Sequence, residues 1–250
     1  MTSKSYEPRP PVVVFIAGHW LGAWAWDRVI DFLSTKTMRP IALTLPGLDE
    51  NDEQRTSKTL EDQIRAIEEV VGSTTDEIVI IAHSGANAPV SVVLDRHPDR
   101  ISHVVWVDSG PVGPGSVFAP DLAYSIDEVP LPSFEILGQQ ASLKDLDEND
   151  LEEFRRRAVP QPGSVMRARV ELYDPARLCV PTTFVCCSIT SVQIRELARA
   201  EHPMFAEVGK LAHPDFVDLP TGHWPMWSRP ADLAKIIGSI IAETDCGVHD

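Results

Sequence analysis

The stretch Glu77-Ile78-Val79-Ile80-Ile81-Ala82-His83-Ser84-Gly85-Ala86-Asn87-Ala88-Pro89 limits what this chain can fold into more than any other. Four of its first five residues are β-branched, which reads as a strand buried on both faces. The chain then turns through Ala82-His83-Ser84-Gly85-Ala86 into a helical run from Val90 to Leu94. A serine with small residues two positions away on each side suits a tight strand-to-helix turn. Larger flanks would strike the neighbouring strand or helix. The G-x-S-x-G form of such a turn is relaxed here to Ala-x-Ser-x-Ala. It would lift the hydroxyl clear of the sheet and aim the first helical amides at it. An ordinary connection with a capping serine reads the same over five residues, so the rest of the chain has to decide.

Before this stretch, Pro11–Ala17 is a continuous apolar run and hence a strand, ending at Gly18-His19-Trp20-Leu21-Gly22. Ala23 to Leu33 follows with helical spacing, and Arg39 to Leu45 forms a second strand stopped by Pro46-Gly47. Thr59-x-x-Asp62 is a capping box for a helix with Leu60, Ile64, Ile67 and Val71 on one face. After the serine turn come a strand over Ile101 to Val107, ending at Asp108-Ser109-Gly110-Pro111, and one over Pro181 to Cys187. A helix spans Val192 to Phe205, a last strand Asp215 to Leu219, and a closing helix Asp232 to Ala242. This alternation predicts an α/β fold: a mostly parallel, doubly wound sheet covered on both sides. The rhythm breaks over 112–180, where Pro and Gly clusters, an acidic segment and Arg155-Arg156-Arg157 replace it. No strand is evident there, and Leu143-x-x-Leu146 and Leu151-x-x-Phe154 suggest short helices. Residues 1–111 and 181–250 are thus expected to form one core, with 112–180 an inserted helical lid.

A chain of 250 residues, 43% hydrophobic, can bury one full core. With 37 acidic against 22 basic residues, its net charge of −15 argues against a nucleic-acid or anionic-membrane partner. Met1–Pro11 is polar, and no run of about 18 apolar residues follows, so neither a leader nor a span is expected and the location is read as cytoplasmic. Cys179, Cys186, Cys187 and Cys246 lack metal spacing and read as reduced, buried thiols, the adjacent pair facing opposite sides of a strand. No cofactor and no metal are expected. Oligomeric state is left open, a homodimer included.

A serine needs a base to become a nucleophile at neutral pH, and the base needs an orienting acid. Both must stand beyond strand C-termini, where parallel sheets bind ligands. Among eight histidines, His223 in Leu219-Pro220-Thr221-Gly222-His223-Trp224-Pro225 lies between the last strand and the last helix. Asp108 directly follows a strand; an Asx-turn before Ser109-Gly110 would use it too. The order Ser84, Asp108, His223 matches nucleophile, acid, base. Donors for a developing oxyanion would be the amides of Gly85 and of His19, the latter after the first strand. Gly18-x-x-x-Gly22 also suits a nucleotide-cradling turn, but the second strand ends Leu43-Thr44-Leu45-Pro46-Gly47 without the acid a ribose requires. Trp20, Trp24, His83, Trp224 and Trp227 fall near these loops and are candidates to line a substrate pocket.

With these residues in place the chain resembles the α/β-hydrolases over nearly its whole length. Phe15-Ile16-Ala17-Gly18-His19-Trp20-Leu21-Gly22-Ala23-Trp24-Ala25-Trp26 is similar to the segment of the plant methylesterase and hydroxynitrile lyase branch, and Leu45-Pro46-Gly47 and Gly222-His223 fit as well. Three departures stand out. Ala17 replaces a histidine before the oxyanion glycine, the elbow has alanine for both glycines, and Ser188-Ile189-Thr190-Ser191 lacks the carboxylate that follows this strand in that branch. Other members, zearalenone lactonases among them, place the acid after the preceding strand, where Asp108 stands. The resemblance implies a cofactor-independent serine hydrolase of small or medium apolar esters or lactones. Dehalogenase chemistry would need a carboxylate at Ser84. A hydroxynitrile lyase would need a pocket lysine, and none of Lys4, Lys36, Lys58, Lys144, Lys210 or Lys235 falls before the final loop as that branch implies. A ligand-binding protein without turnover is the remaining alternative.

Overall fold

The computed structural model describes residues 9–246 of the chain, with side chains through Glu243. Most of Met1–Pro11 and the side chain of Cys246 therefore lie outside the described residues. Strands β1 (Val12–Ile16), β2 (Arg39–Leu43), β3 (Ile78–His83) and β4 (His103–Val107) form early in the chain. The short β5 (Glu128–Val129) and β6 (Gln161–Pro162) follow, then β7 (Thr182–Cys186) and β8 (Pro214–Asp218). Six of these make one parallel sheet in the order β2-β1-β3-β4-β7-β8.

The four central strands are apolar without alternation because both faces are buried, as in all-parallel sheets generally. Val12, Val14, Ile16, Ile78, Ile80, Val104, Trp106 and Phe184 pack to one side. There they meet helices α2 (Leu60–Gly72), α3 (Asn87–Arg96) and α7 (Ser191–Arg199). Val13, Phe15, Val79, Ile81, Val105, Val107 and Val185 pack to the other. That layer holds α1 (Asp27–Ile30), α8 (Pro225–Ser228) and α9 (Pro230–Cys246). Cys186 and Cys187 fall on opposite sides as expected, both buried, whereas Cys179 is exposed, contrary to expectation.

Local rules account for most boundaries. The capping box at Thr59 forms, with Thr59 Oγ1 accepting from the Asp62 amide and Asp62 Oδ2 accepting from the Thr59 amide. Pro89 is the third residue of α3, where its missing N–H costs nothing. The helix after β1 is shorter than its apolar spacing suggests: a 3₁₀ turn over Ala23–Trp26 precedes the four-residue α1. Helix α7 stops at Arg199, well before Phe205. Glu201 takes φ 52°, so that His202 N–H reaches Leu197 O and Glu201 N–H reaches Ala198 O. This is a Schellman end built on a non-glycine residue.

Between β4 and β7 lie α4 (Phe134–Gln140), α5 (Glu148–Arg157) and α6 (Gly163–Arg167), and no strand of this segment joins the main sheet. Leu151 and Phe154 sit in α5 as expected. Leu143 and Leu146 do not form a helix: Asp145 at φ 66° closes a turn there instead. The expectation of no strands is also corrected, since β5 and β6 pair antiparallel through Glu128 with Pro162 and Val129 with Gln161. The segment is tied to the core by Arg28, which donates to Asp150 at 2.5 Å and Glu153 at 2.8 Å, and by the Arg55–Glu128 ion pair.

Thr59 caps α2 at an exposed position. Thr59→Ala should therefore lower the unfolding free energy by about 1 kcal/mol. Urea denaturation checks this, and an unchanged midpoint would show that the capping box contributes nothing.

Candidate active site

Three side chains that follow strand ends meet at the C-terminal edge of the sheet. Ser84 is the residue after β3, Asp108 the residue after β4, and His223 lies in the loop between β8 and α8. His223 Nε2 lies 2.8 Å from Ser84 Oγ, and His223 Nδ1 lies 2.6 Å from Asp108 Oδ2. One nitrogen thus faces the hydroxyl while the other donates to the carboxylate, the tautomer a general base requires. Ser84 has φ 50° and Asp108 has φ 43°, a region that costs non-glycine residues on the order of 1–3 kcal/mol.

The turn around Ser84 is as crowded as its small flanks suggest. Ala82 and Ala86 are fully buried. A close approach also comes from outside the pentapeptide, at Gly18, where a Cβ would sit 2.6 Å from Ser84 Cβ and 2.9 Å from Gly85 N. A Cβ at Gly85 would overlap the His19 ring. Among the described residues, neither the His19 nor the Gly85 N–H has an acceptor within the protein, so both are free to meet a ligand oxygen beside Ser84.

Asp108 is held from below. Its Oδ1 accepts from the amides of Cys187 at 3.0 Å and Ser188 at 2.8 Å, and its Oδ2 accepts from Ser188 Oγ at 2.5 Å. Burial alone would raise this carboxyl. The His223 hydrogen bond and charge, with the Ser188 hydroxyl and amide, outweigh it and hold the group below its ordinary value. The His223 loop is fixed in turn by three contacts. His223 N–H donates to Ser142 O at 2.7 Å, Thr221 Oγ1 lies 3.0 Å from Asp145 Oδ2, and His83 Nε2 donates to His223 O at 2.8 Å. Gly222 has no room for a side chain, because a Cβ would come 2.7 Å from Ser142 O.

Four of the five candidates to line a substrate pocket are buried side chains. His83 is 1% exposed and lies under His223 as a brace. Trp20 is buried, with Nε1 donating to Val129 O at 3.0 Å, so it joins the first loop to the β5–β6 segment. Trp24 and Trp227 stack at 5.5 Å, and Arg157 covers the Trp24 ring at 4.3 Å. Trp224 is buried between the His223 and Phe154 rings. These aromatic rings form walls behind the site. The residue the sequence did not single out is Phe118, largely exposed, whose ring lies edge-on to His19 at 4.3 Å. Also missed were Ser109, donating to Ser84 O at 2.9 Å, and Ser188.

A parallel sheet with a serine on a strand-to-helix turn, and a histidine and an aspartate from later strand ends, has the architecture of the α/β-hydrolase fold. Residues 13–236 match the alpha/beta hydrolase family, and the chain belongs to it. It is similar to the putative chloroplastic methylesterase 14 of Arabidopsis thaliana, 27% identical over 105 residues, 41% of this chain and 30% of that protein. It is also similar to methyl jasmonate esterase 1 of Vitis vinifera, 28% identical over 111 residues, 43% of this chain and 42% of that protein. These matches span less than half the length of either relative. Among solved structures, an extracellular alpha/beta-hydrolase from a Paenibacillus species superposes with a TM-score of 0.72 at 16% identity, covering 92% of this chain and 98% of the other. Methylesterase MES16 from Arabidopsis superposes at 0.68 and 18% identity, covering 93% and 99%. At such identities the likeness is one of fold. No helix among the described residues is long and apolar enough to cross a membrane.

His83 generates a pH prediction. Burial, with the nearby His223, lowers its pKa to about 3, so the folded chain keeps it neutral while the unfolded chain protonates it below about 6.5. Its contribution to stability is complete above that pH and falls with acidification, by about 1.4 kcal/mol per pH unit between there and its folded pKa. Thermal melts between pH 7 and pH 5 should therefore show a steeper loss for the wild type than for His83→Gln, which keeps a donor toward His223 O. Equal slopes would contradict this burial-driven shift.

Proposed function

We propose that the chain is a cofactor-independent serine hydrolase that cleaves small or medium apolar carboxylic esters or lactones through an acyl-enzyme. The observation that carries this reading is the continuous Asp108–His223–Ser84 hydrogen-bonded array, at 2.6 Å and 2.8 Å. Ser84 attacks the carbonyl while His223 Nε2 takes its proton. Asp108 holds the imidazole in orientation and stabilises the cation it becomes. The amides of His19 and Gly85 receive the oxyanion, each worth about 3–4 kcal/mol in the transition state. His223 then protonates the leaving alkoxide, and water activated by the same imidazole releases the acyl group. For a lactone, both product groups remain on one molecule.

Residues 112–180 serve as the lid in this reading. Their contacts with the catalytic loops support it: Phe118 on His19, Val159 N–H to Trp20 O at 3.0 Å, and Ser142 O to His223 N. Phe118 then presents the apolar surface met by an incoming acyl or alcohol chain. Ester cleavage also agrees with the methylesterase and esterase names among the relatives. Lyase chemistry is less well supported. The backbone of Lys144 abuts Gly222, but its largely exposed ammonium lies 4.0 Å from Asp145.

A fluorophosphonate probe and a panel of p-nitrophenyl esters and lactones test the assignment together. Wild type should label and Ser84→Ala should not; no labelling of either would favour a binding protein on this fold. Asp108→Asn should lower turnover by roughly 10³–10⁴ by imposing the wrong tautomer on His223. Turnover within tenfold of wild type would remove Asp108 from the mechanism.

A further inference from the structure

We propose that Ser188 is a positioning residue that sets the basicity of His223 through the hydroxyl it donates to Asp108, an inference that rests on the triad reading above. Ser188 lies two residues beyond β7. Its Oγ is 2.5 Å from Asp108 Oδ2, the same oxygen that accepts from His223 Nδ1 at 2.6 Å. The other oxygen takes the Cys187 and Ser188 amides. Each carboxylate oxygen therefore accepts two hydrogen bonds, which fills the roughly four acceptor sites a carboxylate offers.

These four donors are not equivalent. The two amides are fixed by the backbone at the end of β7 and meet the oxygen that does not touch histidine. The hydroxyl shares Oδ2 with the imidazole, so it draws negative charge from the very bond that stabilises the protonated ring. Sharing makes Oδ2 a weaker partner for the imidazolium that forms when His223 takes a proton. The strand end that carries no carboxylate of its own thus contributes a donor to the carboxylate of its neighbour.

The surroundings leave this pair as the source of any such effect. The other titratable groups facing it are His83 from β3, His19 from the loop after β1, and Cys186 and Cys187 from the end of β7. Burial keeps both histidines neutral, with pKa values lowered to about 3 and about 4, and pushes both thiols upward. None of these four changes charge near neutrality. Beyond them lie Asp218 of β8, bound by the Ser191 amide and hydroxyl, and Arg195 of α7, whose guanidinium covers the Phe216 ring.

The test is the rate of fluorophosphonate labelling as a function of pH, which reports the protonation of the base without requiring the natural substrate. Ser188→Thr and Ser188→Val have the same size and differ in the hydroxyl. The threonine variant should follow wild type. The valine variant should shift its acid limb upward by about half a pH unit or more, labelling about threefold slower at pH 6 and converging with wild type at high pH. Ser188→Ala, a smaller change, should move the limb in the same direction if the valine variant does not fold. An unmoved or downward limb, or equal shifts in the threonine and valine variants, would overturn the inference. Asp108→Asn run alongside separates the two levels. Wild-type labelling in Asp108→Asn removes the triad itself, whereas slow labelling there with an unmoved limb at Ser188 overturns only the present proposal.

Discussion

A parallel sheet buried on both faces allows polar chemistry at its strand ends and almost nowhere else. The central strands spend nearly all their side chains on one of two apolar layers, with His103, Thr182 and Thr183 as polar exceptions at the strand starts. Polar groups must therefore wait until the ladder stops. On β3 and β4 it stops at one row, where His83 pairs with Val107 and Val107 with Val185. Ser84 and Asp108 follow that row immediately on adjacent strands, which lie about 4.8 Å apart. One imidazole with a hydrogen bond at each nitrogen spans such a gap. The Asp108 carboxylate leans onward over the end of β7, where two amides and a hydroxyl receive it. The site is a consequence of where the sheet ends.

That dependence explains what could be read from the chain. Strand ends are legible because a buried parallel strand is a continuous apolar run, so Ser84, Asp108 and His223 could be placed at a common edge before any coordinates. Chain order then limited their roles. What escaped reading was whatever depends on contacts between distant segments. The five aromatic and histidine pocket candidates were chosen by closeness in sequence, which says nothing of the partners that four of them are buried against. Phe118 lies in a segment with no periodicity, and only its packing on His19 brings it to the site. The two-residue strands β5 and β6 are too short to leave an alternation in sequence. The end of α7 was missed because a non-glycine residue, Glu201, takes the left-handed position.

The relaxed elbow illustrates a subtler form of the same limit. Glycine at both flanks of the serine is the common solution to crowding, and alanine in those places looks like a defect when only five residues are compared. In the fold, Ala82 and Ala86 fit within the core, and the space below Ser84 is controlled by Gly18 on the neighbouring strand's exit. The steric requirement has not been relaxed. Part of it is met by a residue 66 positions earlier in the chain (84 − 18). A motif read within one segment records only the share of the constraint which that segment carries.

The absent carboxylate after β7 follows the same logic. By resemblance alone, Ser188 marks a place where an acid is missing. In three dimensions it contacts the acid that is present, because the carboxylate of Asp108 lies across the end of the next strand. Adding an acid at that position would place a second negative charge beside Asp108, and at a few ångströms two carboxylates cannot both remain ionised cheaply. A hydroxyl avoids that repulsion and supplies a donor. The sequence difference at Ser188 and the presence of Asp108 are therefore one arrangement: with the acid on β4, the end of β7 has to donate hydrogen bonds to it, and a serine with two free amides does so.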